Sequence, residues 1–199
     1  VGVNDNIVLN FSKAVDAESG NIVIYKSSDD SEVESIPVGN AKVSGSGSTQ
    51  ITINPASTLD SSTAYYVQIA ATAFDDSSSN SYAGINDKTT LNFTTADVAA
   101  PTLSSSTPAD GATGISVDAN IVLNFNEAVD AESGNIIIYK SSDNSEVESI
   151  PVGNAKVSGS GSSTITINPS TILDGSTAYY IHVAASAFDD SSSNSYAGI

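Results

Sequence analysis

Apolar and polar residues alternate along most of this chain, in short runs broken by Ser, Gly, Asn, Asp and Pro. A period of two places every second side chain on one face, which is the signature of a half-buried strand. Between residues 101 and 199 the alternation predicts strands over Thr102–Thr107, Ile121–Phe125, Ile136–Lys140, Glu146–Val152, Thr164–Asn168 and Thr177–Ala184. Ile121, Leu123, Phe125, Ile165 and Ile167 face inward. One more strand is read earlier, over Thr89–Thr95, with Leu91 and Phe93 inward. Pro108-Ala-Asp-Gly111 is a turn, since Pro presets φ and Gly tolerates positive φ. Ser141–Asn144 is a hairpin turn. No segment sustains a helical period, although Asn126–Gly134 and Phe188–Gly198 have room for a short helical turn. About seven short strands with frequent turn signals predict an all-β sandwich.

The same words recur along the chain. NIVLNF at Asn6–Phe11 returns at Asn120–Phe125, and FDDSSSNSYAGI at Phe74–Ile85 returns at Phe188–Ile199. Phe74 and Phe188 are 114 residues apart, and so is every other matched pair. Residues 1–85 therefore align without gaps on residues 115–199. The first copy has no counterpart of Pro101–Gly114, and the second has none of Asn86–Thr95. The expected organisation is a first repeat over residues 1–95 lacking its first strand, a linker over 96–100, and a second repeat over 101–199 lacking its last strand. Near-identity without gaps suggests a window onto a longer array. A subunit completed by a neighbour's donated strand is less favoured, because Val1 begins almost at the second strand.

Charge narrows the chemistry. The formal net charge is −17, from 23 acidic and six basic residues, and all six basic residues are Lys. Such a surface repels polyphosphate, which argues against nucleic acid, and against anionic membranes. It is compatible with divalent cations. There is no Cys, Met or Trp, so disulfides and thiol chemistry are excluded. No apolar run approaches the length of a membrane span. The only His, His182, aligns with Gln68 and falls on the strand face opposite Tyr179, Ile181 and Val183, as a solvated side chain. No Ser sits in a nucleophile turn with a constant His to activate it. No enzyme is expected.

The spacing L-x-x-x-T-x-Y-x-V-x-I runs through Leu59, Thr63, Tyr65, Val67 and Ile69, and returns through Leu173, Thr177, Tyr179, Ile181 and Val183. It predicts a tyrosine corner, in which the hydroxyl bonds back to nearby backbone. With PTLSSSTPADGATGISVDANIVLNFNEAVD, it makes the whole repeat resemble the bacterial Ig-like domains of S-layer proteins and giant repeat adhesins. Where that family usually has Gly before Asn in the loop after the Tyr strand, this chain has Ser79 and Ser193. The resemblance implies tandem Ig-like Greek-key sandwiches, an extender or scaffold role at the bacterial cell surface, and no catalysis. The partners expected are neighbouring identical repeats, in the same chain or in adjacent ones. A self-assembling filament and a carbohydrate- or protein-binding module are the alternatives. A binding module calls for a surface that differs between copies or for an aromatic platform. Tyr66 and Tyr180 point away from the core if Tyr65 and Tyr179 point in.

One site reading follows from the acids. In a Greek-key sandwich the loops after the second and sixth strands emerge where the chain enters. Asp130 and Glu132 lie in one, Asp189 and Asp190 in the other, and Asp97 in the linker. Calcium takes six to eight oxygen ligands, so Asp97, Asp130, Glu132, Asp189 and Asp190 are its expected ligands, with Asp16, Glu18, Asp75 and Asp76 as the first-copy equivalents. Glu127 is left out because it aligns with Lys13.

Overall fold

Strict alternation becomes strand, and its apolar face becomes core. The computed structural model describes all 199 residues. It divides into two units, residues 1–97 and 98–199. The first contains β1 (Ile7–Ala17), β2 (Asn21–Lys26), β3 (Glu32–Pro37), β4 (Val43–Ser44), β5 (Ser48–Ile53), β6 (Ala64–Ile69), β7 (Phe74–Asp75) and β8 (Asn92–Thr94). The second contains β9 (Leu103–Thr107), β10 (Ile121–Ala131), β11 (Asn135–Lys140), β12 (Glu146–Pro151), β13 (Val157–Ser158), β14 (Ser162–Ile167), β15 (Tyr179–Val183) and β16 (Phe188–Asp189). No helix is long and apolar enough to cross a membrane.

Each unit has two antiparallel sheets. In the first they run β4-β5-β1-β7 and β3-β2-β6-β8. In the second they run β13-β14-β10-β16, with β9 also on β10, and β12-β11-β15. Both inner faces feed one core. Ile51 and Ile53 come from one sheet, Ile22, Ile24, Ile36 and Val67 from the other, and Phe74 closes the end. Leu123, Ile165, Ile167, Ile136, Ile150, Val183 and Phe188 repeat the arrangement. Fully burying side chains of this size contributes about 1.5–3 kcal/mol each, so the sandwich rests on these layers. Phe11, Phe74 and Tyr82 pack ring on ring at 5.2–5.4 Å, and Phe125, Phe188 and Tyr196 do the same.

Two local devices recur. The Tyr65 hydroxyl accepts the Asp60 N–H at 2.9 Å, and the Tyr179 hydroxyl accepts the Asp174 N–H at the same distance. The corner read from the spacing is therefore present in both copies. Glu34 leaves the edge strand β3 to accept the N–H groups of Ala56 and Ser57 and the ammonium of Lys42. Glu148 does the same with Ser170, Thr171 and Lys156. Burial alone raises the Glu148 pKa, but the Lys156 ammonium and the two amides outweigh it and hold the carboxyl down to about 2.

Two expectations about loops change. The stretch Asn126–Asp130 is not a loop with a helical turn. A bulge between Asn124 and Val129 lets β10 continue to Ala131, and extra residues of this kind bend and twist a strand. Phe188–Asp189 is likewise a short strand, paired with the far end of β10.

The path of the chain matters for function. In the second unit, Leu103 enters β9 opposite Phe125 and Thr107 leaves it opposite Val122. In the first, β8 ends at Thr94 opposite Ala64, and Ala96 then donates to the Val1 carbonyl. By the common register, the repeat is entered at one end of its long axis in one sheet. It is left at the other end from the opposite sheet.

Candidate functional site

The extended β10 redistributes the predicted acids. Asp130 lies on β10 directly opposite Asp189 on β16, as Asp16 on β1 lies opposite Asp75 on β7. Like charges in direct cross-strand register repel. Ser160 donates to Asp130 at 3.2 Å, and Ser46 is placed the same way on Asp16 at 3.4 Å. Glu18 and Glu132 are exposed at the strand ends. Their backbone N–H groups donate to Ala73 and Ala187. Asp97 closes the first unit, where its carboxylate accepts the Ser61 hydroxyl at 2.8 Å.

Asp76 and Asp190 sit one residue past the short strands and organise their loops. Asp76 accepts the N–H groups of Ser78 and Asn80, both at 3.0 Å, and the Asn80 side-chain amide. Asp190 accepts the N–H groups of Ser192 at 2.8 Å and Asn194 at 2.9 Å, and the Asn194 amide. The Asn80 donors, joined by Lys13, hold the Asp76 carboxyl far below the usual carboxylate range. The loop forces Ser79 to φ 60 and Ser193 to φ 65. Positive φ costs an L-residue roughly 1–2 kcal/mol, which explains the Gly usual at this place in the proteins the repeat resembles.

What faces these loop acids differs between the copies. In the first unit a depression of about 230 Å³ is lined by Lys13, Asp76, Asn80 and Tyr82, and the Lys13 ammonium pairs with Asp76 at 3.1 Å. In the second unit Lys13 is replaced by Glu127. The Glu127 and Asp190 carboxylate oxygens come within 4.8 Å of each other. Sequence comparison set Glu127 aside because it was not constant between copies. Its proximity to Asp190 depends on the bulge that carries β10 past Asn126. An all-oxygen donor pair of this kind suits a hard cation such as calcium.

The outer face of the second sheet carries the other recurring constellation. Tyr25 and Tyr66 are cross-strand partners stacked at 5.1 Å, as Tyr139 and Tyr180 are at 5.2 Å. The Lys88 ammonium lies 5.6 Å from the Tyr66 ring centroid and pairs with Asp30. That cover leaves Tyr66 only 4% exposed against 43% for Tyr180. Tyr66 thus points away from the core, as expected, yet is buried on the outside. His182 is exposed.

Comparison with known proteins agrees with the geometry. No curated protein and no solved structure is matched by the chain. The family model for the bacterial Ig-like domain matches it twice, over residues 1–95 and 97–199. Domains of this family occur in bacterial surface proteins and are typically structural modules without enzymatic activity. With two matches that together span nearly all of its length, and a sandwich with a tyrosine corner in each, this chain belongs to the bacterial Ig-like domain family.

Proposed function

We propose that the chain is a non-enzymatic spacer of a long bacterial surface protein, built to hold reach and stiffness outside the cell. The observation that carries this reading is the path through the repeat. The chain enters at one end in β9 and, by the common register, leaves at the other end after β8. Each repeat then adds its long dimension to the protein. The 11 residues of β10 correspond to about 3–4 nm at roughly 3.3 Å per residue. Entry and exit strands lie in opposite sheets, so a pull along the chain shears strand ladders instead of unzipping one bond at a time. The partners of a repeat, on this reading, are further repeats.

Calcium belongs to the same proposal. Glu127 and Asp190 bring carboxylate oxygens within 4.8 Å of each other, and binding would offset their repulsion and stiffen the entry end of the second repeat. In the first repeat, Lys13 already supplies a positive charge at the corresponding place. Two measurements test the reading. Force spectroscopy on the intact chain should show two cooperative unfolding events at shear-type forces; gradual low-force extension would refute the spacer. Thermal melting in millimolar calcium against chelator should raise the transition of the second repeat only, and Glu127→Lys should abolish the rise. An unchanged melting curve would remove calcium and leave the spacer reading standing.

A further inference from the structure

We propose that the first repeat carries a binding site for a neutral oligosaccharide on the outer face of the β3-β2-β6-β8 sheet, in the cleft between Asn21, Gln68 and Asn86. The cleft has a volume of about 430 Å³, inside the roughly 300–1,000 Å³ range of small-ligand pockets. None of its ten lining residues is charged, although the whole chain carries 23 acidic residues. Anions are turned away by the surrounding surface, and a cation finds no carboxylate within.

The polar groups that remain are carboxamides. The Asn21 amide nitrogen donates to the Ser35 hydroxyl at 3.0 Å, and that of Gln68 to the Asn86 carbonyl at 3.1 Å. Both side chains are thereby oriented. Their amide oxygens, and the whole side-chain amide of Asn86, have no partner within the chain. They offer donors and acceptors together, as hydroxyl groups require. Val23 supplies an apolar contact for the C–H face of a sugar ring. Tyr25 stands two residues from Val23 on the same strand and face, and extends the surface; Tyr66 beside it is covered by Lys88.

An extended peptide is the poorer fit. Ile69 and Ile85 exchange both backbone hydrogen bonds at this point, so no strand edge is open for main-chain pairing. The cleft also differs between copies. Val23, Gln68 and Ile69 become Ile137, His182 and Val183, while Gly20, Asn21, Ala70, Ala71, Ala83 and Ile85 are kept.

The test is a nitrogen–proton correlation NMR titration of the intact chain with cellobiose and N,N′-diacetylchitobiose, and with an anionic uronic-acid disaccharide as control. Saturable shifts confined to Asn21, Gln68, Asn86 and their neighbours are expected for a neutral sugar and not for the control. Asn86→Ala and Gln68→Ala should each weaken binding about tenfold, the equivalent of one lost hydrogen bond of roughly 1.4 kcal/mol. Ala83→Val, which narrows the cleft without removing an amide, should also weaken it. Unchanged spectra elsewhere show that each variant is folded. No shift at tens of millimolar of either neutral sugar, equal shifts with the control, or binding indifferent to all three variants would overturn the proposal. None of these outcomes bears on the spacer reading.

Discussion

The two repeats share a core but differ on their flanks. In the first, β8 pairs with Ala64, Tyr65 and Tyr66, and Phe93 lies 5.9 Å from the Tyr65 ring. Tyr65, Tyr66 and Val67 are then fully covered. In the second, only Val183 is bonded on that side of β15, to Ile199, and Tyr179 and Ile181 are only half-buried. The opposite sheet shows the reverse. β9 lies along β10 and Leu123 is fully buried, whereas its counterpart Leu9, with β5 on one side and no strand in the place of β9 on the other, is half-buried. Identical residues thus reach different burial according to which edge is paired. The edge strands complete the core and do not define it.

Several substitutions test this contrast. The largest effect is expected from Phe93→Ala. It should destabilise the first repeat by about 2–4 kcal/mol and leave the second unchanged, as read by hydrogen exchange resolved along the chain. Equal loss in both repeats would break the comparison.

Glu34→Gln and Glu148→Gln address what the repeats have in common. Each should cost about 1–2 kcal/mol, with equal size in the two units. Their pH behaviour has a definite sign. The folded Glu148 pKa is about 2 against 4.5 ordinarily, so its contribution is full above pH 4.5 and is lost as pH falls toward 2. Urea melts of the wild type should weaken across that window, and melts of the double variant should flatten there.

A peptide spanning Lys88–Thr95, added at about ten times its Kd, should protect the Ile181 amide, the counterpart of Val67, by roughly 1.4 kcal/mol and leave β6 unaffected. Protection of β6 would show that β8 exchanges freely.

Ser79→Gly and Ser193→Gly relieve positive φ at a cost in unfolded-chain entropy. A gain of about 0.5 kcal/mol is expected in each repeat, measured by chemical denaturation. The smallest effect on stability belongs to Lys13→Glu, because the lysine is 71% exposed and such pairs contribute little. Its value lies in the calcium response, which the variant should transfer to the first repeat.

Much of this was legible before any coordinates. The alternation located the cores of β8, β9, β10, β11, β12, β14 and β15, and the Tyr spacing found the corner. The far half of β10 was not legible, because the bulge after Asn124 breaks the period and the acidic residues beyond it read as loop. Two-residue strands such as β4 and β7 are too short to show a period. The site suffered for the same reason. Asp189 is held on β16 opposite Asp130, while Asp190, one residue past the strand, caps its loop near Glu127. Glu127, which the bulge brings near Asp190, is the residue that spacing alone does not reveal.

Entering a repeat at one end and leaving it at the other would, for the spacer proposed above, make length a modular quantity. Inserting 114 residues in register restores the hydrogen-bonded pairs and buried layers that the two repeats share, so on the spacer reading proposed above the reach of the protein would change in whole steps while the material of each step stays the same. Recombination between near-identical stretches would act on such a chain as on a ruler, altering how far it extends without having to invent a new fold.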